Sequence, residues 1–255
     1  IYHQRYSTNT FPTWQLAQPF RTLAHNGEIN TLKGNVNWMR SHEIRMVSGI
    51  FGEYENSVKP IVQPGSSDSA ALDAVFELLV RAGRSAPMVK TLLIPESWSN
   101  KINMPESWRA MYSYCNSVME PWDGPAAIAA TDGRWIVGGM DRNGLRPMRY
   151  SITDDKLIFV GSETGMVILP ETQIVEKGRV GPGQMIAVDL AEGRLYRDLE
   201  IKDTLAAAKP YEDWISNTLT VDQFSKSTKS HPKPVTLSDL RCRQVAVGHT
   251  IEEVE

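Results

Sequence analysis

Near residue 125 the spacing of apolar residues changes period, and this change constrains the fold more than any single motif. Before it, "SSDSAALDAVFELLVRAG" sets Leu72, Val75, Phe76 and Leu79 on one helical stripe, with Ser67 or Asp68 to cap the start and Gly83 to stop it. "TLKGNVNWMRSHEIRM", residues 31–46, carries Leu32, Val36 and Met39 on one face behind Asn30 or Thr31. A third helix is expected over about 105–119, where Trp108, Met111, Tyr112, Cys115 and Met119 keep the same spacing, which makes Cys115 a packed structural thiol. After the change, "PAAIAATDGRWIVGGM" reads as two strands joined by a two-residue turn at Asp132-Gly133. "RYSIT", "KLIFVGS", "TQIVEKG", "GQMIAVDL" and "GRLYRD" extend the series of strands. Antiparallel hairpins beside segregated helices predict an α+β fold of stacked layers.

A chain of 255 residues can bury a sizeable core. Its formal net charge of -3, with both signs interspersed, supplies neither a basic field for nucleic acid nor a cationic stripe for a membrane surface. No apolar run approaches the ~20 residues of a membrane span, and no charged-then-apolar signal segment opens the sequence. These features predict no nucleic-acid partner, no membrane and a cytoplasmic location. Ile1 opens directly into strand-like "IYHQRYS", the start expected of an interior fragment or a processed product. Cys115 and Cys242 match no zinc spacing and no disulfide framework, and His3, His25, His42, His231 and His249 show no metal-ligand spacing, so no metal is expected. From about residue 216 the polar, aperiodic "SNTLTVDQFSKSTKSHPKPVT" reads as a linker, and "LSDLRCRQVAVGHTIEEVE" as a capped helix beyond it.

Several polar positions have two readings. Arg5 is either a surface ion pair or a planar fork for a carboxylate. Asn26-Gly27 is either a hairpin turn or a pair that aims a side-chain amide and a backbone N–H at one point, as an oxyanion hole requires. Asp68 is a first-turn acid favoured by the positive end of its helix, and a carboxylate there can also hold a substrate ammonium. "GGMDRNGLRPMRY" packs Asp141, Arg142, Asn143, Gly144, Arg146 and Pro147 into one corner, denser in polar groups than a strand connection needs. "GSETG", residues 161–165, has Glu163 where a nucleophile elbow has serine, and "GRVGPG" lacks the strand and helix of a dinucleotide site.

Taken in order, "HQRYSTNTFPTW", "AHNGEINTLKGNVNWM", "SDSAALD", "VMEPWDGPAA", "GGMDRNGLRPMRY" and "SETGMV" closely resemble the glutaminase domain of glutamate synthase large chains, a class II, N-terminal-nucleophile glutamine amidotransferase. The resemblance runs from residue 1 to about 205; "RYST", "HNG" and "SDS" are shared with other amidotransferases, whereas "NTLKGNVNWM" and "VMEPWDGPAA" are particular to glutamate synthases. It implies a four-layer α-β-β-α sandwich, incomplete at its N-terminus, over residues 1–215, with 216–255 a linker and the start of the following central domain. It implies hydrolysis of L-glutamine by an N-terminal cysteine whose own α-amine, with a pKa of ~7.7 to 8.0, accepts the proton. Residue by residue, it makes Arg5 the clamp on the glutamine α-carboxylate, Asn26 and Gly27 the oxyanion hole, with Gly27 also substrate-binding, Asp68 the partner of the α-ammonium, and Asp141, Arg142, Asn143 and Gly144 supports.

The family's nucleophile precedes "HQRYST" by a long stretch, and neither Cys115 nor Cys242 stands in its place, so the expectation is glutamine chemistry for the parent protein and no turnover for this chain alone. No cofactor is expected in residues 1–255; FMN and a 3Fe-4S cluster are implied for the intact protein, where ammonia and 2-oxoglutarate yield glutamate. The implied partners are L-glutamine, the remaining glutamate synthase domains and a small electron-donating subunit, with the donor left open between NADPH, NADH and ferredoxin. The other readings are a truncated relative that binds glutamine or serves as a scaffold without hydrolysis, and an amidotransferase of a different kind.

Overall fold

A computed structural model describes residues 1–4, 11–99, 101–219, 223 and 236–249. It divides into two units, Ile1–Ser216 and Asn217–Glu255. Among the described residues of the first, helices α1 (Leu32–Arg45), α2 (Asp68–Arg81), α3 (Ala86–Leu93), α4 (Glu106–Val118), α5 (Asp198–Ala207) and α6 (Tyr211–Ile215) accompany eight strands. The strands are β1 (Leu23–Gly27), β2 (Ala126–Thr131), β3 (Trp135–Met140), β4 (Arg149–Thr153), β5 (Ile158–Gly161), β6 (Ile174–Arg179), β7 (Met185–Asp189) and β8 (Arg194–Tyr196). The second unit contains α7, Leu237–Ala246, whose N-cap Thr236 accepts a hydrogen bond from the Asp239 N–H at 3.3 Å.

The strands form a five-stranded sheet in the order β1-β2-β3-β7-β8 and a three-stranded sheet in the order β5-β4-β6, with antiparallel pairing throughout. Side chains alternate across a strand, so register assigns each residue to a face. Ile128, Ala130, Val137, Met185 and Ala187 point to the helices and share one core with Leu72, Phe76, Leu92 and Met111. Ala127, Met140 and Ile186 point the other way and meet Met148, Tyr150, Ile158 and Val160 of the second sheet's layer. Two adjacent glycines of β3 show both contacts: a Cβ on Gly138 would lie 2.7 Å from Val160, and one on Gly139 would lie 2.8 Å from the stem of Lys90 on α3. The described residues therefore build three layers of the α-β-β-α sandwich: helices, large sheet, small sheet.

Local chemistry explains the elements. The Ser67 hydroxyl accepts the Ala70 N–H at 3.1 Å and so caps α2, which ends where Gly83, with φ of 96°, lets the Arg84 N–H return to the Leu79 carbonyl. Trp108, Met111, Tyr112, Cys115 and Met119 are all buried along α4 or at its end, and Met39 is buried under α1. Asp73 on α2 fastens β1: its carboxylate accepts the Thr22 N–H at 2.9 Å, the Thr22 hydroxyl at 2.7 Å and the Leu23 N–H at 3.0 Å. On the open edge of β1 the Gln18 amide takes the place of a neighbouring strand, accepting the His25 N–H at 2.6 Å and donating to the His25 carbonyl at 3.0 Å.

The turn between β2 and β3 lies one residue further along than expected. Thr131 pairs with Ile136, and the Asp132 N–H donates to the Trp135 carbonyl, so Gly133-Arg134 occupies the turn. The Asp132 carboxylate accepts the Arg134 and Trp135 N–H groups at 2.9 and 2.6 Å and holds the chain in an Asx turn. Helices α3, α5 and α6 were not anticipated. All eight residues of α3 are buried, which removes the polar face that reveals a helix by its period.

Candidate active site

The polar residues gather at the end of β1, the edge strand of the five-stranded sheet. Paired residues of antiparallel strands share a face, so the pairing of His25 with Ile128 sends its imidazole toward the helices, while the pairing of Asn26 with Ala127 sends its amide between the sheets. Gly27 ends the strand. A Cβ there would sit 1.7 Å from the Pro125 carbonyl oxygen, and one on Gly124 would sit 2.1 Å from the Glu28 carbonyl oxygen, so two backbones pass in contact. The Glu28 N–H donates to Pro125 at 2.9 Å and the Asn30 N–H to the Asp123 carbonyl at 2.8 Å. Asn26-Gly27 is thus a strand terminus locked to a neighbouring chain segment, which rules out the hairpin-turn reading.

Asp68 opens α2 beside this terminus. One carboxylate oxygen accepts the Ile29 N–H at 2.9 Å across 39 residues of sequence, and the side chain keeps 21% of its surface exposed. That same oxygen lies 3.8 Å from His25 Nδ1. His25 is shielded from solvent, with Nδ1 2.8 Å from the Ser69 hydroxyl and Nε2 3.4 Å from the Pro125 carbonyl. Burial pushes the imidazole pKa down, against the pull of Asp68, which leaves the ring neutral at pH 7. A neutral ring that donates from Nε2 to Pro125 is an acceptor at Nδ1 for the Ser69 hydroxyl, which also lies 3.5 Å from the second Asp68 oxygen.

The "DRNG" corner braces the same terminus from the other side. Asp141 is buried; one oxygen accepts the Ala126 N–H at 2.8 Å and the other accepts the Asn143 and Gly144 N–H groups at 2.9 Å. Ala126 is the partner of Gly27 in the ladder. Arg142 pairs with Asp123 at 2.7 Å, and it is the Asp123 carbonyl that receives Asn30. Gly144, with φ of 64°, lies against Pro182 and closes the corner. Asn143 and Gly144 contribute backbone donors.

The structure therefore brings Asn26, Gly27, Asp68 and the Asp141–Gly144 corner to one place. Arg5 lies outside the described residues. Sequence reasoning did not single out His25, Ser69 or Ser162, although "HNG" and "SDS" contain the first two. Ser162 lies in "GSETG" and "SETGMV" with no role attached to it there, and its hydroxyl accepts an Asn26 amide N–H at 3.0 Å from across 136 residues. Cys115 has no part in this cluster: it is buried on α4 among core residues, and burial pushes its thiol up to about 12. Chemically, the cluster offers an anchored amide at a strand end and a carboxylate at a helix start, which is suited to a substrate with a polarised carbonyl and an ammonium group.

A family model for class II glutamine amidotransferases matches residues 1–214. The sequence is 62% identical to the NADPH glutamate synthase large chain of Azospirillum brasilense across all of this chain and 17% of that relative. It is 46% identical to the ferredoxin-dependent glutamate synthase 2 of Synechocystis, again across the whole chain and 16% of that relative. The chain thus spans about 17% of the length of the curated relatives it matches. Among solved structures, an allosteric regulatory enzyme of purine biosynthesis aligns with 76% of this chain and 34% of its own, at a TM-score of 0.42 and 17% identity. By the match over residues 1–214, which takes in the whole cluster at the end of β1, the chain belongs to the class II glutamine amidotransferases.

Proposed function

We propose that this chain forms the glutamine-recognising part of the glutaminase domain of a glutamate synthase large chain. The observation that supports the reading is the hydrogen bond from the Ile29 N–H to the Asp68 carboxylate, which ties the start of α2 to the chain two residues beyond Asn26-Gly27. Asp68 holds the α-ammonium of L-glutamine, Arg5 holds its α-carboxylate, and Gly27 also lies against the substrate. The Asn26 amide and the Gly27 N–H stabilise the oxyanion that forms when a thiolate adds to the side-chain carbonyl. The carbon–nitrogen bond then breaks, ammonia leaves, and water releases glutamate from the thioester. The attacking thiol is assigned to neither Cys115 nor Cys242, and Asp141, Arg142, Asn143 and Gly144 support the pocket without touching substrate. By this reading the chain alone has no glutaminase turnover.

The ammonia is used with 2-oxoglutarate for glutamate synthesis in the remaining domains, which carry FMN and a 3Fe-4S cluster and accept electrons from a small subunit or from another donor. Two cysteines, one of them packed in the helical core, do not supply the thiolates that such a cluster takes, so the cluster is not assigned to residues of this chain. Residues 1–215 make up the amidotransferase part, and 216–255 a linker and the beginning of the central domain. No helix among the described residues is long and apolar enough to cross a membrane; the proposed location is the cytoplasm.

The test is Asn26→Ala in the complete large chain. Loss of one oxyanion donor should lower kcat for glutamine hydrolysis by ~10² to 10³, about 2.7 to 4 kcal/mol, with little change in KM. A rate near that of the unaltered protein would remove Asn26 from the role.

A further inference from the structure

We propose that Ser162 is a positioning residue for the oxyanion hole: its hydroxyl fixes the orientation of the Asn26 amide and so acts on the reaction through Asn26. This rests on the function proposed above. An asparagine amide has two N–H donors and turns about a soft torsion, so aiming one donor at a developing charge requires something to hold the other. Here Asn26 Nδ2 donates to Ser162 Oγ at 3.0 Å, and an amide carries a second N–H beyond the one so engaged.

The fold makes Ser162 a firm anchor. Ser162 follows β5 directly, and β5 is seated on the large sheet where Val160 fills the space beside Gly138. Gly161 pairs with Arg149 of β4, and Met166 lies so close over Gly161 that a Cβ there would sit 1.8 Å from its terminal methyl group. The β4 ladder thereby fixes the residue that precedes the hydroxyl. Asn26 points into the inter-sheet layer, in one row with Ala127 and Met140, so a donor or acceptor from the second sheet is placed to reach it. The serine of "GSETG" thus has a use that involves no attack on substrate.

The experiment compares glutamine hydrolysis by the complete large chain with Ser162→Ala, Ser162→Cys, Ser162→Thr and Asn26→Ala, and adds the double variant Ser162→Ala/Asn26→Ala. Ser162→Ala should lower kcat about 10-fold with KM within about twofold, because the hydrogen bond serves an interaction made in the transition state. Ser162→Thr, which keeps the hydroxyl, should restore kcat to within about threefold of the unaltered protein. Ser162→Cys, a weak acceptor of nearly the same size, should fall between them and serves if the alanine variant does not fold. In the Asn26→Ala background, Ser162→Ala should have no further effect, since residues that act as a unit are not additive. An unchanged kcat in Ser162→Ala, or an equal loss with and without the Asn26 amide, would overturn the proposal. If Asn26→Ala lowers kcat while Ser162→Ala does not, only the role of Ser162 fails. If Asn26→Ala itself is unaffected, the assignment of the oxyanion hole fails and the Ser162 proposal with it.

Discussion

Replacing Asp73 with alanine should loosen the strand that delivers Asn26 and Gly27 more than any other single change on α2. The carboxylate and its main partner are both buried, with Asp73 at 4% and Thr22 at 5% exposure. It accepts three hydrogen bonds at 3.0 Å or less, two from β1-side N–H groups and one from the Thr22 hydroxyl, and a fourth, longer one from the Arg21 N–H at 3.4 Å. Leaving a buried donor unpaired costs about 1–3 kcal/mol, so three close donors set a gross loss of about 3–9 kcal/mol. The Thr22 hydroxyl can turn to another acceptor, and water can enter the space that the carboxylate leaves. Both offsets bring the expected loss to about 3–5 kcal/mol, a large share of the ~5–15 kcal/mol that holds a domain folded. Asp73→Asn keeps an oxygen that can face Thr22 and Leu23 and should cost only about 1–2 kcal/mol. Urea unfolding followed by tryptophan fluorescence gives both values. On heating, the alanine variant should unfold roughly 6–20 °C lower. A loss under about 1 kcal/mol in Asp73→Ala would refute the idea that this carboxylate fastens β1 to α2.

Two further outcomes concern buried titratable groups. Burial, with Lys202 nearby, pushes the Lys90 ammonium down from 10.5 to about 7, against the opposing pull of Asp198, Glu96 and Asp141. Between those values the unfolded chain binds more protons than the folded one, so stability should rise with pH from about 7 to 10.5; Lys90→Met should flatten that rise and raise the urea midpoint at pH 7, as a comparison at pH 7 and pH 9 would reveal. Burial likewise pushes the Cys115 thiol up to about 12, while Cys242 is exposed, so a thiol reagent at pH 8 should modify one cysteine in the native chain and both only after denaturation.

Much of the architecture was legible in local patterns. Leu72, Val75, Phe76 and Leu79 recur at helical spacing because α2 has one buried stripe, and α4 announces itself in the same way. Helix α3 could not be read so, because eight buried residues, Lys90 among them, present no polar face and too little length to separate a helix from a strand. Helix α5 carries a cue at its start, where Glu200 accepts the Arg197 N–H at 3.0 Å, but its apolar positions are few and follow a strand. The β2–β3 turn moved by one residue because the Asp132 carboxylate binds the turn's own N–H groups instead of joining it.

At the site the division follows sequence distance. The Asn-Gly pair and the acid at a helix start stand in short motifs that the sequence displays by itself, and the family is shown by the match over residues 1–214. Which way those groups face could not be known from the motifs. His25 and Asn26 are neighbours in one strand, yet one reaches Ser69 on the helical side and the other reaches Ser162 between the sheets. Alternation along a strand guarantees that the two part company, but only the register against β2 and β3, and the layers stacked on either face, determine which side is which. The sequence by itself determined the long amphipathic helices, most of the strands and the chemistry of the motifs, because periodicity and residue type are local. Tertiary structure alone decided the pairing of Ser162 with Asn26, of Asp68 with Ile29 and of Asp73 with β1, because each contact spans 39 residues or more and exists only once the sheets and helices are packed.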